Sequence, residues 1–252
     1  LTTVAITDHD TTEGWADASA AARHHGIALV PGVEISCTRD GASVHLLGYL
    51  VDPADAPLTD ALARVRISRR TRMQAIVELM AADGIPITYD EVLAQVQPGA
   101  TLGRPHLADA LIASGIVRTR DEAFAGWLHN SSRYYVRHYA PDAADAIRLV
   151  RGAGGVAVLA HPFPTARGYA VTPALVEELA AAGLTGIEVG HRAHPPDVQA
   201  STRDLSRRLG LVETGSSDYH GIGKVNRLGE HTTDADALAE IEARASGVAV
   251  IR

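Results

Sequence analysis

Ligand-type side chains recur in this chain at the ends of short apolar runs. Asp8, His9 and Asp10 follow TVAIT (3–7), Glu34 lies in IALVPGVEIS (27–36) and His45 in SVHLLGYL (43–50). His161 follows VAVLA (156–160), and Asp218 and His220 follow LVETG (211–215). Imidazole and carboxylate are the donors that suit Zn²⁺, Mn²⁺ or Fe²⁺. Two or three such ions bridged by a carboxylate lower the pKa of bound water and supply hydroxide as a nucleophile. Each residue alone has a plainer reading. A His at a strand end is commonly a hydrogen-bonded structural residue, and Asp8 or Asp10 suits a turn or helix cap. Glu34 resists this, because a carboxylate among Val30, Val33 and Ile35 needs a partner or a metal. Asp218-x-His220 is equally awkward as a plain loop. The metal reading rests on all these positions falling at strand exits together.

The elements that must position these residues are strands alternating with helices. The segments 3–7, 27–36, 43–50, 156–160, 186–189, 211–215 and 248–251 are short, apolar and rich in β-branched residues, as in a buried parallel or mixed sheet. Thr11 or Thr12 caps a helix running to about residue 25, and Gly26 closes it. Further helices are predicted near 173–182, 196–209 and 234–246. The stretch between them differs. Leu58, Leu62, Val65, Met73, Ile76 and Met80 recur at helical spacing with one gap, and Asp83-Gly84 ends the helix. With helices near 88–96, 105–114 and 120–129, this predicts a helical insertion over 55–140 within an α/β domain made of 1–54 and 141–252. That domain regains its first helix at 141–152. Active sites of such folds gather at the C-terminal ends of strands.

Composition narrows the classes. Of 252 residues, 46% are hydrophobic and 21% charged, which fits a globular chain and excludes disorder. The net charge of −7 provides no global attraction to nucleic acid. A single cysteine, Cys37, excludes a disulfide framework and reads as a small buried residue. No apolar run of membrane-spanning length and no signal peptide is seen, so the expected location is cytoplasmic, with no membrane and no obligate protein partner. The chain opens at Leu1, without Met and directly in a strand, which reads as a start that has lost a preceding segment.

The runs TDHDT (7–11), GVEIS (32–36), HLLGY (45–49), AHP (160–162) and GSSDYHG (215–221) occur in the order found in the PHP family. These are the metal-dependent phosphoesterases named for polymerase and histidinol phosphatase, and the chain resembles them over nearly its whole length. The insertion and GRPHLAD (103–109) resemble the branch of 3′,5′-nucleotide bisphosphate phosphatases and 5′-to-3′ exoribonucleases. The resemblance implies a distorted seven-stranded α/β barrel whose first strand, with a His-x-His and an Asp, would precede Leu1. It implies a centre of three divalent metals, manganese foremost, with zinc, iron(II) or magnesium as alternatives. It carries ligand roles onto His9, Glu34, His45, His161, Asp218 and His220, with Glu34 bridging. Asp10 is not carried over and reads as the cap of the first helix.

The implied chemistry is hydrolysis of a nucleotide or short-RNA phosphate ester. His161 and His194 are candidates for the general acid. Arg104 and His106, at a helix start marked by Pro105, are candidates for gripping a substrate phosphate, as is Lys224. His191 and His194, after strand 186–189, sit beside the site as supporting or substrate-contacting residues. Arg64, Arg66, Arg69, Arg70 and Arg72 crowd one helix; a solvated face is the plain reading and a local RNA-backbone surface the functional one. Two alternatives remain at this level: a histidinol-phosphate-like small phosphomonoesterase, and a non-catalytic PHP-like module.

Overall fold

The computed structural model describes residues 1–163, 171–221 and 225–252. The strands are β1 (Thr3–Ile6), β2 (Ala28–Arg39), β3 (Ala42–Tyr49), β4 (Val156–Leu159), β5 (Gly186–His191) and β6 (Val212–Ser216). The helices are α1 (Trp15–His25), α2 (Ala56–Ala82), α3 (Tyr89–Leu93), α4 (Arg104–Ala113), α5 (Arg120–Gly126), α6 (Ala143–Gly152), α7 (Pro173–Ala181), α8 (Pro196–Leu209) and α9 (Ala235–Arg244). The chain divides into two compact units, Leu1–Asp60 with Pro141–Arg252, and Ala61–Ala140.

The first unit is mixed α/β. Its six strands lie in one sheet in chain order. Strand–helix alternation predicts parallel pairing, and β1–β2, β4–β5 and β5–β6 show it. β3 runs antiparallel to both of its neighbours. The reversal has a local cause in Asp40-Gly41, whose positive φ values of 48° and 81° suit the two-residue turn that matches hairpin twist. The expected strand at 248–251 reduces to one antiparallel bridge between Ile251 and Leu29. Its neighbours spend their N–H groups on loop carbonyls instead, Ser246 and Gly247 on Gly154 and Val248 on Leu50. The core of this unit joins Val30, Leu47, Val158 and Val212 of the sheet to Ile241 of α9. Burying each such side chain is worth about 1.5–3 kcal/mol.

α1 starts later than the sequence suggests. Its cap is Gly14, and Thr11 instead closes a local turn by accepting the Glu13 N–H at 3.2 Å. The indole N–H of Trp15 donates to the Gly32 carbonyl at 2.8 Å, which ties the helix to β2. Gly26 ends it in the left-handed conformation, φ 65°, as predicted.

The second unit is helical. Met73, Ile76 and Met80 of α2 pack with Leu107 and Leu111 of α4. α2 stops at Asp83-Gly84, where Gly84 has φ 79°. The arginines of α2 are not one solvated face. Arg64 and Arg70 are exposed, whereas Arg72 is buried. Among the described residues no helix is long and apolar enough to cross a membrane.

Candidate metal centre

Alternate residues of a strand share a face, and directly paired residues of neighbouring strands project to the same side. Ser36 pairs with His45, so Glu34, two residues before Ser36, shares the face of His45. The chain leaving β1 forms a parallel bridge between His9 and Glu34, which adds His9 to that face. The Ala160 N–H donates to the His45 carbonyl at 3.0 Å and so brings His161 alongside.

The result is a buried carboxylate among three imidazoles. Oε1 of Glu34 lies 2.6 Å from Nδ1 of His45 and 3.3 Å from Nε2 of His161, and Oε2 lies 3.6 Å from Nδ1 of His9. The rings of His9 and His45, and of His45 and His161, are 5.1 Å apart, and His220 joins His9 at 5.9 Å. Nδ1 of His220 stands 3.2 Å from Oδ1 of Asp218. All six residues expected as ligands therefore occupy one connected patch. His9, Glu34 and His45 offer donor atoms within 4.8 Å of one another. The donor set fits a divalent cation. Nδ1 of His45 is buried and close to the carboxylate, yet makes no aligned hydrogen bond with it. Nearby donors converging without alignment is the arrangement of ligands that share an ion.

Electrostatics follow from burial and proximity. Burial alone would raise the pKa of Glu34, but the charges of His9 and His45, the bond from His161 and the closeness of His45 hold it well below the usual range. Burial works against a charge on His161. Its bond to Glu34, the Glu34 charge, and the charges of Glu188 and Asp218 overcome that and hold its pKa above the ordinary value. The expected ligands His161 and Asp218, and nearby Asp10, have positive φ values of 27°, 46° and 55°. Such conformations cost about 1–3 kcal/mol each and persist where surrounding bonds enforce them.

Those bonds identify residues whose roles the sequence hid. Asp10 is fully buried and caps no helix; its carboxylate accepts the Ser36 N–H and the Ser36 hydroxyl, both at 2.8 Å. Glu188 on β5 is buried and accepts the His161 backbone N–H at 2.7 Å, which fixes the strained turn. It has the same sequence signal as Glu34, a carboxylate between apolar strand residues. His194, expected as a proton donor, is held otherwise. Its Nδ1 faces the Val189 carbonyl at 3.1 Å and its Nε2 accepts the Phe163 N–H at 3.3 Å. Both nitrogens face backbone groups, and burial lowers the pKa of the ring. His191 is buried, and its Nδ1 accepts the Ala193 N–H at 3.0 Å. That bond leaves the proton on Nε2, which stands 3.9 Å from Oδ2 of Asp218. Cys37 is buried, as expected, and burial pushes its thiol pKa up.

Arg104 and His106 belong to the helical unit. Arg104 donates from Nη1 to the Leu128 carbonyl at 2.6 Å and to Oδ1 of Asn130 at 2.9 Å. Nδ1 of His106 accepts the Gly103 N–H at 3.1 Å and thereby closes the start of α4. Lys224 lies outside the described residues.

No family model matches the chain. Individual proteins do. A 3′,5′-nucleoside bisphosphate phosphatase of Chromobacterium violaceum is 33% identical over 246 residues, 96% of this chain and 86% of that protein. A phosphoribosyl 1,2-cyclic phosphate 1,2-diphosphodiesterase of Eggerthella lenta is 35% identical, covering 90% and 86%. A 5′-3′ exoribonuclease of Haemophilus influenzae is 29% identical, covering 86% and 78%. Among solved structures, a protein of Bifidobacterium adolescentis assigned as a metal-dependent phosphoesterase superposes with a TM-score of 0.93 at 41% identity, covering 98% of this chain and 87% of that one. An amidohydrolase of Chromobacterium violaceum, solved with sulfate and no metal bound, has a TM-score of 0.83 at 32% identity over the same shares. With the five motifs folded into one patch of imidazoles and carboxylates, these likenesses show that the chain belongs to the PHP family of metal-dependent phosphoesterases.

Proposed function

We propose that this enzyme hydrolyses a phosphate ester of a nucleotide or short RNA, removing a phosphate from a 3′,5′-bisphosphonucleotide or nucleotides from an RNA 5′ end. The observation that carries this reading is Glu34, a buried carboxylate with three imidazoles within 3.6 Å of its oxygens. The names of the bisphosphate phosphatase and exoribonuclease relatives support the substrate class.

His9, Glu34, His45, His161, Asp218 and His220 would hold the metals, three in number and manganese by preference. Ions bound there would supply Lewis-acid polarisation of phosphoryl oxygens and a lowered pKa for water. Glu34 offers one oxygen to His45 and His161 and the other to His9, the disposition of a carboxylate that bridges. His161 faces Glu34 through Nε2, so it serves as a ligand rather than as the acid. His191 stands beside Asp218, its Nε2 3.9 Å from that carboxylate, and so adds to the polar surroundings of the proposed ligand. Arg104, His106 and Lys224 are assigned to substrate phosphate. In this reading the six strands are part of a seven-stranded barrel, supported by their sequential order in the sheet.

The test is phosphate or mononucleotide release from 3′-phosphoadenosine 5′-phosphate and from short 5′-phosphorylated RNA. A 1,2-cyclic ribose phosphate and histidinol phosphate complete the panel. Turnover of either nucleotide substrate that requires Mn²⁺ and stops with chelator is the expected result. Metal-loaded protein that turns over neither overturns the substrate assignment.

A further inference from the structure

The helical unit differs in charge from the rest of the chain. Residues 61–140 hold ten Arg against seven Asp and Glu, whereas the remainder holds 13 basic and 23 acidic residues. Seven of those ten Arg fall in two short segments, 64–72 and 133–139, and neither segment contains an acid.

The fold lays one segment along the other. Arg64, Ser68 and Arg72 form an i, i+4, i+8 ridge on α2. The Arg64 guanidinium stands 3.8 Å from the centre of the Tyr139 ring, and the Ser68 hydroxyl accepts the Tyr139 N–H at 2.7 Å. Arg72, buried at 7% exposure, donates from Nη1 to Nδ1 of His138 at 3.3 Å and lies 5.3 Å from the centre of the Tyr135 ring. Residues 139 to 135 therefore run along the ridge from Arg64 to Arg72, a length of about 12 Å at 1.5 Å per residue.

Burial alternates along the second segment. Tyr134 is buried and stacks on Trp127, Val136 packs against the helical core, and His138 meets Arg72. Arg133, Tyr135 and Arg137, between them, are exposed. Arg133 is engaged by Asp83 at 3.0 Å. Arg137 makes no ion pair among the described residues. The outward side thus interleaves guanidiniums with tyrosine rings. A guanidinium stacked on a ring keeps its N–H edge for phosphate oxygens, and a tyrosine face stacks on any base. Charge that follows a backbone, set between rings that take bases, is how single-stranded nucleic acid is held. At a stacked spacing of about 3.4 Å, the ridge matches three or four nucleotides, more than a mononucleotide covers.

We propose that Arg64, Tyr135, Arg137 and Tyr139 form a surface of the helical unit that holds single-stranded RNA, with the arginines on its backbone and the exposed Tyr135 ring on a base. The choice of RNA rests on the proposed function. The surface itself is measured without turnover.

The experiment is fluorescence anisotropy of a labelled, 5′-phosphorylated single-stranded RNA of about eight nucleotides. It is titrated with the full chain in chelator, so that the RNA is not cleaved, over a series of salt concentrations. Wild type is expected to bind saturably, with an affinity that falls as salt rises. Arg137→Gln is expected to bind several-fold more weakly and to lower the slope of log affinity against log salt by about 0.7, the effect of one single-strand phosphate contact. Tyr135→Ala is expected to weaken binding by about tenfold with the slope unchanged, because stacking releases no counterion. Tyr135→Trp should restore the affinity. If Tyr135→Ala unfolds early, Arg137→Gln decides alone, since its side chain is exposed. The proposal is overturned if wild type shows no saturable binding below about 100 μM at the lowest salt, or if folded Arg137→Gln keeps the wild-type affinity and slope. RNA binding with these losses but no turnover of any ester would refute the proposed function and leave this surface standing. Turnover of the bisphosphonucleotide without RNA binding would do the reverse.

Discussion

Glu34→Gln is the substitution that bears most directly on the metal centre. It keeps the shape of the side chain and removes its charge. In the folded protein that charge lies 2.6, 3.3 and 3.6 Å from nitrogens of His45, His161 and His9. A cation held among the same donors sits at comparable range from the carboxylate. At an effective dielectric of about 20, opposite unit charges about 4 Å apart attract by ~4 kcal/mol. If the glutamine carbonyl recovers half of that, about 2 kcal/mol is lost, roughly a thirtyfold fall in metal affinity. Metal content after equilibrium dialysis against graded Mn²⁺, read by mass spectrometry beside phosphate release, measures both consequences. The variant should retain the wild-type circular dichroism spectrum, since the amide can still bond neutral imidazoles. An affinity within threefold of wild type, with turnover preserved, would show that Glu34 is a structural carboxylate and would sink the metal assignment.

Other residues give independent checks. Asp10→Ala strands the buried N–H and hydroxyl of Ser36, and hydrogen bonds to a charged group are worth about 1.5–3 kcal/mol each. Denaturant unfolding should show a loss of ~3 kcal/mol or more, and a loss under about 1 kcal/mol would exclude the anchoring role. Glu188 has its pKa raised, by burial first. Its folded pKa exceeds its unfolded one, so the stability it contributes at low pH is lost as pH rises through the folded value. Metal-free Glu188→Gln should therefore gain in Tm over wild type between pH 5 and pH 8, and a shrinking gap would contradict the sign. His194→Gln separates anchoring from acid catalysis. A positioning role predicts the same fractional loss of kcat for esters with good and poor leaving groups, whereas selective loss on poor leaving groups would restore His194 as the acid.

The six expected ligands were legible because each departs from its local pattern: a charged or imidazole side chain at the exit of an apolar run, or, for Glu34, within one. Their supporting residues follow no such rule. Asp10 looks like a helix cap because a helix follows it closely, and its actual partner, Ser36, is 26 positions away. Glu188 does interrupt an apolar strand, but its partner is a backbone N–H 27 positions earlier, which no side-chain spacing announces. His194 shows a different case. Proximity to a strand exit suggested chemistry, and only the folded backbone reveals that both ring nitrogens are engaged. The gap in the α2 stripe was visible, yet a composition in which 22 of 23 basic residues are Arg made any arginine cluster look unremarkable until burial singled out Arg72.

The hidden residues share one task. His161, Asp218 and Asp10 all hold backbone conformations that side chains other than glycine disfavour. At about 1–3 kcal/mol each, three such positions use up an appreciable part of the stability of a small domain. The enforcing contacts are short and buried: Glu188 on the His161 N–H, Asp10 on Ser36, and Asn226 donating to the Asp218 carbonyl at 3.1 Å. The backbone turn at a strand end sets where its side chain stands. The strain at His161 and Asp218 is thus coupled to where the imidazole and the carboxylate point. If His161 and Asp218 hold a metal as proposed, relaxing either turn would shift a donor at a site where coordination distances are fixed to about 0.2 Å.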